Sequence, residues 1–373
     1  MTVKNIVFLT SQRLDRIVVV KIKKTHIYEF FAAAFGFNTY AALNSEIIFI
    51  EYDEPLTTNL VNKLTIRTRC IELGYTGLVA NSISAHLPII IAEERLATLN
   101  LNDLIAALRP DTGDFDSEIT TEWTVDEWQL AEVIQNSPST LKSLEDSANS
   151  GNGFAHYALA LIYLNYKERN EDEEISDYWF KQQQLGKELN TIEMEFANSY
   201  AEQMSAKQKS KYHLMEAALL NNEMALIDLA EYFDDPLFFD KAFPATNTDP
   251  MKIAMIAEQL NRKEDAHHWL IVAAEAGNPQ AMRKLITDFE KHDLTRCWTW
   301  IYLSKLVNHD LTRDRYFAMH EDGSDYDDDI GGPIEVGGEG GVDLPELETF
   351  QDQIAKRTAE ELFRKIEISI VTA

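Results

Sequence analysis

Apolar and polar positions alternate in two different rhythms along this chain of 373 residues. Up to about residue 110 the apolar runs are short and β-branched: IVFLT at 6–10, RIVVVKI at 16–22 and EIIFIEY at 46–52. Charged or turn residues bound each of them, which predicts strands. Helical segments lie between. THIYEFFAAAFGFNTYAALNS places Thr25 as an N-cap and Gly36 as a stop, with a second short helix around Tyr40 to Leu43; NKLTIRTRCIELGY ends at Gly74 in the same way. Residues 1–110 are therefore expected to form a small α+β domain. The turn-rich segment RPDTGDFDSEITTEW follows, and 111–124 reads as an acidic linker. From about Val125 strand signals nearly vanish and helical periodicity runs on to about Asn308.

The helical part repeats itself. Ala273, Ala274, Gly277, Asn278, Ala281, Leu285 and Phe289 fall, 56 positions earlier, on Ala217, Ala218, Asn221, Asn222, Ala225, Leu229 and Phe233. A shift of 126 positions gives Ser147, Ala148, Gly151, Asn152, Ala155, Leu159 and Tyr163. Small residues at a helix end let two backbones approach. Gly or Asn then tolerates the left-handed conformation that stops the helix, and the next Ala and Leu share one packed face. Each set is a helical hairpin written as a sequence rule. YWFKQQQLGKELNTIEMEFANSY at 178–200 matches the rule loosely, with Trp179, Gly186, Phe196 and Tyr200 in the corresponding places.

The run W-L-x-x-A-A-x-x-G-N-x-x-A-M-x-x-L from Trp269 to Leu285 resembles the Sel1-like repeat, a relative of the tetratricopeptide repeat, and the resemblance spans about 140–310. It implies a mostly α fold in which an α-solenoid of such hairpins, over 125–320, follows the small N-terminal domain. It further implies a bacterial protein that binds other proteins or organises complexes, with no catalytic residue to carry over. The acidic stretch NYKERNEDEEISD, between Asn165 and Asp177, stands where the family has a Gly-rich loop. Residues 321–345 are rich in Gly and Asp and read as a flexible loop; 346–368 regain helical periodicity and are expected to cap the open end of the array.

Charge narrows the function classes. With 62 acidic against 34 basic residues the chain carries a formal −28, which opposes nucleic acid or an anionic membrane as partner and attracts a basic protein. Cys70 and Cys297 are the two cysteines, distant in sequence, and read as reduced thiols of a cytoplasmic protein. The first residues form no secretory leader, and no stretch reaches the ~18 apolar residues of a spanning helix.

Chemistry-bearing patterns are sparse. Asp325, Asp327 and Asp329 alternate as in a calcium loop, but Ile330 stands where Gly is needed and Val336 where a bidentate Glu is needed. Glu264 and His267 make one E-x-x-H spacing without a second copy. No metal or cofactor is expected. Nucleophile and phosphate motifs are absent, leaving the dispersed His26, Cys70 and His86 as the candidates of a rival enzyme reading in the first domain. Trp298, Trp300 and Tyr302 put aromatic surface on two faces of one helix. Together with the acidic run Asp325, Asp327, Asp328 and Asp329, they are the predicted partner contacts. The expected function is stoichiometric binding of a basic protein, as an immunity-type neutraliser or as an adaptor or chaperone; the oligomeric state is left open.

Overall fold

The computed structural model describes residues 3–51, 61–109, 138–168, 176–241, 246, 248–320 and 334–372. The fold is mostly α. Two compact units divide the chain, Met1–Leu229 and Ala230–Ala373. No described helix is long and apolar enough to cross a membrane.

The first unit opens with α1 (Val3–Ile17), α2 (Lys24–Ala34), α3 (Tyr40–Glu46) and β1 (Ile47–Glu51). The strand expected at 6–10 lies inside α1. Ile6, Val7, Thr10 and Leu14 are buried while Phe8 is exposed, and a strand burying Ile6 and Thr10 would also have buried Phe8. RIVVVKI is not a strand either. Val18 and Ile22 are pinned in the core and the residues between them face outward, because β1 takes a different partner. That partner is β2 (Leu96–Asn100), paired antiparallel with Ile47 opposite Asn100. Thr25 falls within the first turn of α2, whose N-cap is Lys23. Between the strands lie α4 (Lys63–Glu72), capped by the Asn62 side chain, and α5 (Gly77–Glu93). Ile27, Phe30, Phe31, Leu43, Ile66, Ile83 and Leu87 form the core of this part.

After α6 (Leu101–Leu108) the described chain resumes with α7 (Pro138–Asn149), α8 (Gly153–Glu168), α9 (Tyr178–Gln184), α10 (Thr191–Leu219) and α11 (Glu223–Phe233). These build on the first 109 residues within one unit. α7 packs on β1 and α6 on α8. The Asn152 amide donates to the Asn44 carbonyl at 2.8 Å, and Arg109 pairs with Asp228 at 2.5 Å. The boundary between compact units thus falls at 229–230, while the expected linker at 111–124 lies outside the described residues.

The second unit holds α12 (Leu237–Asp240), α13 (Pro250–Gln259), α14 (Lys263–Glu275), α15 (Pro279–Lys284) running into a π-helical turn at Leu285–Phe289, and α16 (Leu294–Leu306). A two-stranded ribbon of β3 (Arg315–Met319) and β4 (Glu335–Glu339) follows, then α17 (Thr349–Thr372). Residues 335–339, expected to be loop, are therefore strand. Gly338 permits the pairing: its φ is 99°, and a Cβ there would overlap the Arg315 carbonyl of the partner strand.

The three hairpins of the repeat rule share one turn. Gly151, Asn221 and Gly277 have φ of 89°, 63° and 99°. Their N–H groups donate to Ala148, Ala218 and Ala274, and the next residue's N–H reaches back to Ser147, Ala217 and Ala273. This pair of hydrogen bonds closes the first helix. The Asn that follows then starts the second helix. Asn152, Asn222 and Asn278 accept through Oδ1 from the N–H of Ala155, Ala225 and Ala281 at 3.2, 3.1 and 3.0 Å. Leu159, Leu229 and Leu285 are each wholly buried.

Candidate functional site

The aromatic trio on α16 separates into two environments. Trp300 is a core residue, 3% exposed, and its indole N–H donates to Glu290 Oε2 at 2.9 Å. It is not a partner contact, which corrects the sequence reading. The reason lies one helix earlier. The π turn closes with the Glu290 N–H on the Leu285 carbonyl at 2.7 Å, and the extra residue per turn swings the Glu290 carboxylate inward. There Oε1 accepts from His267 Nε2 at 2.9 Å and pairs with Arg296 at 2.8 Å. The His267 ring stacks on Phe289, and the Cys297 thiol donates to the Glu290 carbonyl. Burial, with the Glu290 carboxylate nearby, pushes that thiol up to about 11.

Trp298 and Tyr302 stand one turn apart with ring centroids 5.4 Å apart, and this chain already occupies them. The Trp298 indole donates to the Pro345 carbonyl at 2.8 Å, and the Tyr302 hydroxyl donates to Asp352 at 2.5 Å. Lys356 lies over the Tyr302 ring and pairs with Asp352. α17 thus lies along α16, with Ala355, Ala359 and Leu362 buried in the seam. Asp325, Asp327, Asp328 and Asp329 lie outside the described residues.

A different surface is uncovered among the described residues. α10 has 29 residues and α8 has 16, so at ~1.5 Å per residue α10 overruns its main packing partner by roughly 20 Å. Its C-terminal half buries Ala206, Ser210, Leu214, Ala217 and Ala218; of 191–205, only Ala197 is buried. The N-terminal half packs against the seven-residue α9, none of whose side chains is buried. Phe180 and Tyr200 hold the two together at 5.3 Å. Left outside are Tyr178 at 50%, Leu185 at 80%, Ile192 at 64%, and Met194 and Phe196 at 43%. At ~100° per residue, Ile192 and Phe196 form one stripe with the exposed Glu195 and Glu202 beside it. The sequence signal was present in IEMEF, where apolar and acidic residues alternate inside a helical stretch. By the hairpin rule alone the segment matches only as a loose repeat.

The remaining chemistry-bearing groups are held separately. His26 Nδ1 meets the Tyr75 hydroxyl at 2.9 Å, and His86 Nδ1 donates to the Ser82 carbonyl at 2.8 Å. Burial pushes the Cys70 thiol up to about 12, which disfavours a thiolate. Between α8 and α10 the Nδ1 atoms of His156 and His213 are 2.9 Å apart, with Tyr163 stacked on His213. Burial lowers both rings, His213 to about 4. A cleft of about 450 Å³ is lined by Tyr28, Tyr40, Phe49, Ser143 and Asp146 among others. Burial, with Tyr28 close by, pushes the Tyr40 phenol up to about 12, so its hydroxyl offers hydrogen bonding and no base. Among the described residues no three His, Cys, Asp or Glu side chains gather as metal ligands would.

Comparison with family models, with curated proteins and with solved structures gives no match.

Proposed function

We propose that this chain is a protein-binding module whose α9–α10 overhang seats a basic, amphipathic segment of a partner protein. One observation carries the reading: five large apolar side chains are uncovered on a hairpin whose exposed residues also include Glu188, Glu195 and Glu202, with Ile192 and Phe196 in one stripe beside Glu195. An apolar stripe edged with carboxylates matches a helix or strand with apolar residues on one face and Lys or Arg beside them. Burial of each half-exposed side chain contributes roughly 1 kcal/mol, and the acidic edge with the overall −28 speeds encounter with a basic partner. The Sel1-like hairpin rule supports the same class, because stacked hairpins of this kind present helix faces rather than reaction centres. Within that class the protein acts in a bacterial cytoplasm, as a neutraliser of one basic protein or as an adaptor for several.

The test is affinity capture by the full-length chain beside two variants, Ile192→Glu with Phe196→Glu and Glu195→Lys with Glu202→Lys. The expected result is recovery of a basic protein that both variants bind at least about tenfold more weakly. Capture of one protein at fixed stoichiometry identifies a neutraliser, and several clients an adaptor. Equal capture by the parent and both variants sinks the reading.

A further inference from the structure

Charge is distributed very unevenly along this acidic chain. Residues 1–28 hold six basic side chains and one acidic, a local +5 in a molecule of −28. Arg13 is committed to Glu93 and Glu94 at 2.5 and 2.7 Å. Arg16, Lys21, Lys23 and Lys24 are exposed and pair with no carboxylate among the described residues.

The same segment exposes aliphatic surface. Val18 and Ile22 are 7% and 3% exposed and fasten the connection between α1 and α2 to the core, whereas Val19 is 104% and Val20 47% exposed. Ile17 at 38% and Phe8 at 48% extend the apolar surface along α1. Lys24 Nζ lies 5.4 Å from the Phe8 ring centroid, so cations and apolar groups share one strip.

We propose that this strip docks on an anionic lipid surface, with Val19 and Val20 entering the headgroup boundary and Arg16, Lys21, Lys23 and Lys24 meeting lipid phosphates. Unpaired cations interleaved with uncovered aliphatic side chains are the composition of an interfacial anchor. Nucleic acid fits less well, since Lys24 already lies over the ring of Phe8 and the other exposed apolar side chains, Ile17, Val19 and Val20, offer no face on which a base could stack. Net charge alone points away from a membrane because it averages the whole chain. At a Debye length of ~8 Å, carboxylates farther away than that from the strip are largely screened, and the four exposed cations Arg16, Lys21, Lys23 and Lys24 govern approach. The strip is separate from the α9–α10 overhang and the inference stands without the partner reading.

The experiment is flotation of the full-length protein with vesicles of phosphatidylcholine alone or mixed with phosphatidylglycerol, at about 0.1 M and about 1 M salt. Binding is expected only to the mixed vesicles and only at the lower salt. Lys21→Gln with Lys23→Gln should weaken it roughly thirtyfold, about a factor of five per cation. Val19→Ser with Val20→Ser should weaken it roughly tenfold. These side chains are exposed, so an unchanged circular dichroism spectrum is expected for each variant. No flotation, equal flotation with neutral vesicles, or variants that float like the parent would overturn the proposal. Retention of the protein on immobilised polyglutamate while vesicles stay bare would overturn it in favour of an acidic polypeptide partner.

Discussion

Glu290 offers the sharpest test of how the second unit is held together. Its side chain is 5% exposed and serves three donors: His267 and Arg296, themselves 36% and 46% exposed, and the buried Trp300 indole. Glu290→Ala removes all three contacts, with unequal consequences. His267 and Arg296 can turn to water, so their loss costs about 1 kcal/mol or less together. The Trp300 N–H cannot, and an orphaned buried donor costs about 1–3 kcal/mol. The expected destabilisation is therefore about 1–4 kcal/mol. Glu290→Gln keeps an acceptor for the indole and should cost only about 1 kcal/mol. Adding Trp300→Phe to Glu290→Ala removes the orphaned donor and should recover part of the loss, giving a coupling of about 1–2 kcal/mol in a double-mutant cycle.

Because two compact units need not unfold together, the assay must report locally. Hydrogen exchange across 263–306, read by mass spectrometry against urea concentration, gives the opening free energy of the segment that contains the cluster. If Glu290→Ala lies within about 0.5 kcal/mol of the parent, or Glu290→Gln is as damaging as Glu290→Ala, then the inward carboxylate does not organise this packing and the account of the π turn fails.

Two further outcomes follow from the hairpins. Asn222→Ala and Asn278→Ala each remove an N-cap and should cost about 1 kcal/mol. Asn152→Ala should cost about 2 kcal/mol, since its amide also serves the Asn44 carbonyl and Ser147 Oγ; chemical denaturation that reverses this order contradicts the assignment. Stability should also fall with acidity. His213 is held neutral by burial, with His156 and Lys209 close by and a folded value of about 4 against an ordinary 6.5. Its effect is nil above about pH 6.5, grows as the unfolded chain takes up a proton, and levels off below pH 4, at about 2 kcal/mol once solvent screening at the ring edge is allowed for. His213→Gln should flatten that slope, and a slope that persists unchanged in His213→Gln would place the titration elsewhere.

The parts of this fold that the chain's residues announce are those fixed by local backbone demands. Gly36, Gly74, Gly151 and Gly277 all take positive φ, and each was legible as a stop because few other residues tolerate that conformation. The caps Asn152, Asn222 and Asn278 were legible as turn residues for a different reason, the short side chain that accepts from the first turn of the next helix. Strand assignments fared worse, because a short β-branched run carries the same apolar residues whether it is wound or extended. EIIFIEY found an antiparallel partner in β2; IVFLT and RIVVVKI did not. The environment of Trp300 was hidden more deeply. It depends on a carboxylate ten residues away, turned inward by one extra residue in a helical turn, and no periodicity in the sequence encodes that rotation.

The three copies of the hairpin rule make their departures from it informative. In the first copy, the capping Asn152 also ties the turn to α3. In the third, the helix that should run on regularly past Leu285 widens into a π turn and delivers Glu290 to the core. In the second, the first helix is longer than its partner can cover, and the excess carries Ile192, Met194 and Phe196 outward beside glutamates. The first two departures make additional internal contacts, so stability alone explains them. The third makes few, and it leaves exposed apolar surface that favours nonspecific association. A departure that gains little inside the molecule is best explained by something outside it. On that ground the α9–α10 overhang, rather than the aromatic pair that α17 already covers, is where a partner should be sought.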